Sequence, residues 1–227
     1  MARKDPSVPL RRPAAERAIR PQAKTAERSR AILEAAMSVF GANGYNKGTL
    51  SEVAEQVGMT HAGVLHHFGS KEGLLIALLQ YRDGEAVAGV GARNQVEGPP
   101  FLAHLMQTVE ENTRRPGGVQ TYAVLSGESV TDGHPAQDYF RDRYDTLRDK
   151  LAGVLDEVTG GRAEPAELRD SASALIAVMD GMQLQWLLEP GSVDMPRIFG
   201  LVLDDLVERL ATGTKAPSAL LAPGVTV

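Results

Sequence analysis

The stretch Thr49 to Phe68, TLSEVAEQVGMTHAGVLHHF, restricts the fold more than any other part of this 227-residue chain. Thr49 stands three residues before Glu52, the spacing of a capping box. In that arrangement the threonine hydroxyl bonds the amide of the glutamate, and the carboxylate reaches back to the threonine amide. A short helix then runs to about Val57 with Val53, Ala54 and Val57 on its apolar face, and Gly58 is placed to end it in a left-handed conformation. Thr60 is a suitable N-cap for a second helix over about His61 to His67. Two short helices joined by a glycine-containing turn form a helix-turn-helix, whose second helix enters the major groove of DNA with its N-terminal residues towards the base edges.

Charge distribution agrees with a DNA-meeting end. The whole chain carries a formal net charge of −5, which alone argues against a polyanionic partner. Residues 1–80, however, hold 11 Lys and Arg against 7 Asp and Glu, whereas the remainder holds 13 against 22. A basic third on an acidic body suggests one end that contacts phosphate and one that does not. Part of the excess belongs to the first thirty residues, with 9 basic against 3 acidic, so a solubilising basic tail explains it equally well. The absence of cysteine excludes a disulfide framework and a thiolate metal site. No apolar run approaches the roughly 18 residues of a membrane span, and the basic N-terminus lacks the apolar core of a secretory signal. A cytoplasmic location is the default expectation.

Taken in order, residues 1–23 contain Pro6, Pro9, Pro13 and Pro21 among several arginines and are expected to be a disordered basic arm. From about Lys24 to Gly44, Ile32, Leu33, Ala36, Val39 and Phe40 recur at helical spacing. Ser70 caps a further helix that begins at Lys71 and fades near Gly89 to Gly91. Its free N-terminal amides and the Lys71 charge favour an anion. Gly91 to Pro100 is a loop rich in breakers. Beyond it, helices are expected over about Pro100–Arg114, Val119–Val130, Ala136–Val158, Pro165–Leu188 and from after Asp194 to about Leu210. With no strand pattern and no repeat, the chain reads as all-α with about nine helices. A helix-turn-helix domain over 24–70 precedes a helical body over 71–212 and an unstructured tail over 213–227. On the penultimate helix Leu168, Ala172, Leu175, Met179, Met182 and Trp186 form one apolar stripe, and Ile176, Leu184, Leu187 and Leu188 a second. On the last, Ile198, Phe199, Val202, Leu203, Leu206 and Leu210 are apolar. A second stripe needs a second surface to cover it, and a four-helix interface between two copies meets that need.

Three pieces in register identify a family resemblance: a long helix ending in Phe40-x-x-x-Gly44-Tyr45, a threonine opening the next helix, and the tail HHFGSKEGLL from His66 to Leu75. With these, Thr25 to Leu75 resembles the N-terminal DNA-binding domain of TetR-type transcriptional regulators. The remainder resembles the family in helical pattern and length, with DGMQLQWLLEP (Asp180 to Pro190) similar to the penultimate helix of many members. The resemblance implies a homodimer paired through the last two helices, reading a palindromic double-stranded operator, repressing transcription and released by a small-molecule effector. One departure stands out. Many members have tyrosines at the positions of Leu65 and His67, and here both hydroxyls are missing.

The residues placed near DNA are Thr49, Thr60, His61, Ala62, Val64, His66, His67 and Lys71. The two threonines are caps first, with hydroxyls that can also bond phosphate. His61 opens the reading helix and is the base-edge candidate, while Ala62 and Val64 can touch thymine methyls. Leu65 fits the core. His61, His66 and His67 do not share one face and have no carboxylate or cysteine beside them, so no metal is expected. His104 and His134 read as lone surface or satisfied residues. Phe101, Leu105, Tyr122, Leu125, Tyr144, Met179, Met182, Gln183 and Trp186 are candidates to line an adaptable pocket in the body. Read one by one they are equally ordinary core, and the pocket itself comes from the resemblance. No nucleophile-base pair, metal set, cofactor motif or phosphate loop appears in residues 90–227, so an enzyme is not expected. Two other classes stay open. One is a helical binding protein or enzyme that uses the body alone, and the other a DNA-architectural protein without an effector, whose affinity would follow salt rather than sequence.

Overall fold

The computed structural model describes residues 14–84 and 96–214, with side chains from residue 24 onward. Among the described residues there are nine helices and no strand: α1 (Ala14–Lys47), α2 (Leu50–Gln56), α3 (His61–Phe68), α4 (Lys71–Asp83), α5 (Pro100–Asn112), α6 (Pro116–Glu128), α7 (Gln137–Thr159), α8 (Pro165–Leu188) and α9 (Met195–Thr212). The expected all-α architecture is the one observed, and none of the described helices is long and apolar enough to cross a membrane.

Most helix ends fall where caps and prolines put them. Thr60 accepts the amide of Gly63 at 3.1 Å, Ser70 that of Gly73 at 2.9 Å, and Asp194 that of Arg197 at 3.1 Å. Pro100, Pro116 and Pro165 each occupy a first helical position, where the missing N–H costs nothing. Gly160 ends α7 in the left-handed region. Two expectations need correction. α1 begins at Ala14 rather than near Lys24, because Ala14, Ala15, Glu16, Arg17 and Ala18 are strong helix formers that the flanking prolines had obscured; residues 1–13 lie outside the described residues. α6 begins at Pro116, not Val119, since that proline starts a helix as well as following one. α4 ends at Asp83, capped by Gly84, whose N–H bonds the carbonyls of Gln80 and Tyr81. The expected fade near Gly89 to Gly91 and the tail beyond residue 214 lie outside the described residues.

Two compact units divide the chain: Met1–Ala36 with Leu50–Arg93, and Met37–Thr49 with Asn94–Val227. α4 therefore groups with α2 and α3 rather than with the body, and the end of α1 groups with the body. In the first unit α3 packs on both α2 and α4. Its buried side chains include Ile32 and Leu33 of α1, Val53 of α2, Val64 of α3 and Leu74, Leu75, Leu78 and Leu79 of α4. Gly73 is required there: a Cβ at this position would strike the carbonyl oxygen of Phe68 as the chain turns from α3 into α4.

In the second unit α8 is the central helix, packed against α6, α7 and α9. Leu151 and Leu155 of α7, Leu175 of α8 and Phe199 of α9 are fully buried in one cluster. Each contributes about 1.5–3 kcal/mol of transfer free energy. The end of α1 is held by two contacts to α6. Thr121 Oγ1 lies 2.8 Å from the carbonyl of Met37, and Glu128 Oε2 accepts the amide of Tyr45 at 2.7 Å. Gly44 breaks α1 at that point with φ 72, and a Cβ on it would overlap the Glu128 carboxylate. Of the second stripe expected on α8, Ile176 is core after all. Leu184 and Leu188, 53% and 88% exposed, do form an outward apolar face, and Leu201 of α9 is 58% exposed as well.

Candidate nucleic-acid interface

α3 is an eight-residue helix whose start is set by Thr60, in extended conformation at φ −84 and ψ 155. One turn of helix separates the faces. Val64 is fully buried and Leu65 partly so, whereas His61, Ala62 and His66 are exposed, as are Thr49 and Thr60. The exposed set lies at the N-terminal end of α3 and one turn along it, where a groove-entering helix meets base edges and phosphates. Val64 is a correction to the expected DNA-facing set. Its side chain is completely shielded because it is the apolar anchor of this short helix, so no thymine methyl can reach it.

His66 and His67 differ. His67 is half-buried, with Nδ1 3.4 Å from the hydroxyl of Ser29, a buried residue of α1. Its pKa is lowered, first by burial and then by its neighbours His66 and Arg28. At neutral pH it is therefore an uncharged ring docked on α1, in position to orient α3, while exposed His66 remains the outward member of the pair. Lys71 is partly buried at the first position of α4 beside the Ser70 cap. Ser29 was invisible to sequence reasoning; only its polarity within the apolar spacing of α1 gave a hint.

The body gathers the residues expected to line a pocket. Phe101, Leu105, Met182 and Trp186 belong to the buried cluster, with Tyr144 and Met179 packed against it, and Tyr122, Leu125 and Gln183 are buried. Polar members meet across three helices. Arg143 Nη1 donates to Tyr122 Oη at 3.2 Å, Tyr122 Oη donates to Tyr144 Oη at 3.2 Å, and Tyr144 Oη donates to Asp180 Oδ2 at 2.7 Å. Burial first, then Tyr122 and Asp180, raise the Tyr144 pKa, so the phenol stays protonated. Asp180 and Arg143 were not anticipated; the i, i+3 spacing of Asp180 and Gln183 on α8 was the available signal.

A second polar cluster lies at the α1 break. His134 is 8% exposed, not a surface residue. Its Nδ1 accepts the amide of Ala136 at 3.2 Å, and its Nε2 lies 3.8 Å from Glu128 Oε2. The Tyr45 ring stands edge-on to it at 5.4 Å. Burial lowers the His134 pKa, and Glu128 offsets part of that effect. Among the described residues no three His, Asp or Glu side chains converge as a metal set.

Comparison with known proteins places both units. Residues 32–78 match the model of bacterial regulatory proteins of the tetR family, and residues 102–212 match that of the C-terminal domain of BetI-type transcriptional repressors. The chain is 36% identical over 170 residues to the HTH-type transcriptional repressor Rv1474c of Mycobacterium tuberculosis, covering 68% of this chain and 90% of that protein. A transcriptional regulator from Rhodococcus sp. Rha1 shares the fold at TM-score 0.60 and 22% identity, over 83% of this chain and 99% of its own. The SmeT–triclosan complex does so at TM-score 0.62 and 17% identity, over 88% and 96%.

Proposed function

The chain belongs to the tetR family of bacterial regulatory proteins, and from that premise we propose that it is a homodimeric repressor of a palindromic operator, released when a small molecule binds its helical body. The observation that carries this reading is the division of α3 into a shielded face, Val64, and an exposed end, His61, Ala62 and His66, behind the Thr60 cap. That end is assigned base and phosphate contacts, with Thr49, Thr60 and Lys71 assigned to the backbone.

Dimerisation through α8 and α9 is supported by the outward leucines Leu184, Leu188 and Leu201, since an isolated soluble surface gains nothing by exposing them. Two copies paired there would carry two α3 helices to half-sites about 34–36 Å apart, one turn of DNA. Effector release is supported by the polar cluster of buried Tyr122 with half-buried Tyr144 and Asp180 and by the triclosan complex of SmeT, which has the same fold. A ligand releases DNA only if it binds the low-affinity form more tightly than the operator-binding form.

Selection of bound sequences from random duplex DNA tests the reading directly. An inverted repeat with half-sites one turn apart is the expected product, and His61→Ala should weaken or relax recognition at one base position per half-site. Enrichment of no sequence by the purified dimer would overturn it.

A further inference from the structure

Gln183 is a buried group on α8 whose chemistry no described contact explains. It lies on the central helix α8, 7% exposed, and its Oε1 is buried with no donor among the described residues. Asp180 lies one turn earlier on the same face, where side chains three positions apart sit about 5–6 Å from each other at Cβ. The hydrogens around Asp180 all run one way: Arg143 to Tyr122, Tyr122 to Tyr144, Tyr144 to Asp180. Each phenol has spent its single proton in that direction. The carboxylate can accept up to about four hydrogen bonds, of which the Tyr144 bond is one. The cluster is thus rich in acceptor capacity and has committed its phenol donors. The Arg143 guanidinium is turned to Tyr122, and the acceptors left on α8 are Asp180 and Gln183 Oε1, whose complement is a donor with positive charge.

Resting on the effector reading above, we propose that Asp180 and Gln183 form the recognition point for a protonated amine on an otherwise apolar effector. An N–H of the ammonium donates to Gln183 Oε1, and its charge lies against Asp180. The apolar remainder packs along Met179 and Trp186, which share the Gln183 face of α8 at i−4 and i+3. Tyr144, kept protonated, holds the carboxylate in place and does not compete for the ligand proton.

The test uses full-length protein without DNA and matched linear probes of about four to ten carbons, each as primary ammonium, trimethylammonium and carboxylate. Thermal unfolding reads binding by mass action. At least one primary ammonium is expected to raise the melting temperature progressively, with the logarithm of its concentration above Kd. Its trimethylammonium twin, which has no N–H, and its carboxylate twin should raise it less. Gln183→Leu and Asp180→Asn should each weaken the apparent affinity for the amine about tenfold, and Gln183→Glu should strengthen it. Gln183→Met replaces Gln183→Leu if the latter fails to fold. A carboxylate that binds as well as its amine, a panel with no binding amine, or amine binding indifferent to position 183 would overturn the proposal, the last outcome leaving Oε1 to solvent alone. Amine binding without loss of operator affinity would uphold the site and overturn the effector role. A protein with no operator would overturn the regulator reading while the amine comparison still stood or fell on its own.

Discussion

At the scale of single residues, three positions decide more than their neighbours. Thr60 supplies the oxygen that starts α3, accepting the Gly63 amide at 3.1 Å. Thr60→Ala should lower stability by about 1 kcal/mol in a denaturant titration, whereas Thr60→Ser should be nearly neutral. Gly44 has φ 72 and ψ 173, a backbone region open almost only to glycine, and faces the Glu128 carboxylate, so Gly44→Ala should cost about 1–3 kcal/mol from the backbone alone. Adding Glu128→Ala to that variant should recover the part of the loss due to overlap, and a double-mutant cycle measures it. His134 is buried with a lowered pKa. The unfolded chain takes up a proton near pH 6.5, while the folded ring, accepting the Ala136 amide at Nδ1, resists it to lower pH. Its stabilising effect is therefore complete above about pH 6.5 and is lost as pH falls from there towards the folded pKa. His67 is shifted in the same sense, so urea midpoints should fall as pH drops below about 6.5. His134→Asn, which keeps an acceptor near Nδ1, should flatten that dependence without abolishing it.

At the scale of elements, the α3–α4 turn sets propensity against packing. Gly73 lies in the first turn of α4, where replacing glycine by alanine ordinarily favours a helix by roughly 0.5–1 kcal/mol. Here the added Cβ would meet the Phe68 carbonyl, part of a backbone that cannot swing aside. Gly73→Ala should therefore destabilise the first unit and weaken operator binding, and a rise in melting temperature would show that the turn relaxes. The same contrast explains which element boundaries were legible. Thr60, Ser70, Pro165, Asp194 and Gly160 act within one turn of themselves, so spacing alone located α3, the start of α4, α8, the start of α9 and the end of α7. The start of α1 is not legible in the sequence because alanine-rich propensity and proline breakers compete over the same ten residues.

At the scale of the whole molecule, the proposed dimer depends on surfaces that one chain leaves uncovered. Leu184 and Leu188 are exposed one turn apart on α8. Leu184→Glu with Leu188→Glu should leave helix content unchanged, shift sedimentation from dimer to monomer, and lower operator affinity by losing the second half-site. An unchanged dimer in that variant would move the interface elsewhere. The sequence by itself determined the helix-turn-helix, the number of helices, the family and the outward placement of His61, Ala62 and His66, because caps, turn glycines and apolar period are local rules. Only the tertiary structure decided that Val64 anchors rather than reads, that His67 docks on Ser29 of α1, that Glu128 grips Tyr45 across 83 residues, and that Tyr122, Tyr144 and Asp180 join three helices. Those contacts follow from which faces pack together, and that choice is made by burial summed over the whole chain, not by any neighbouring residue.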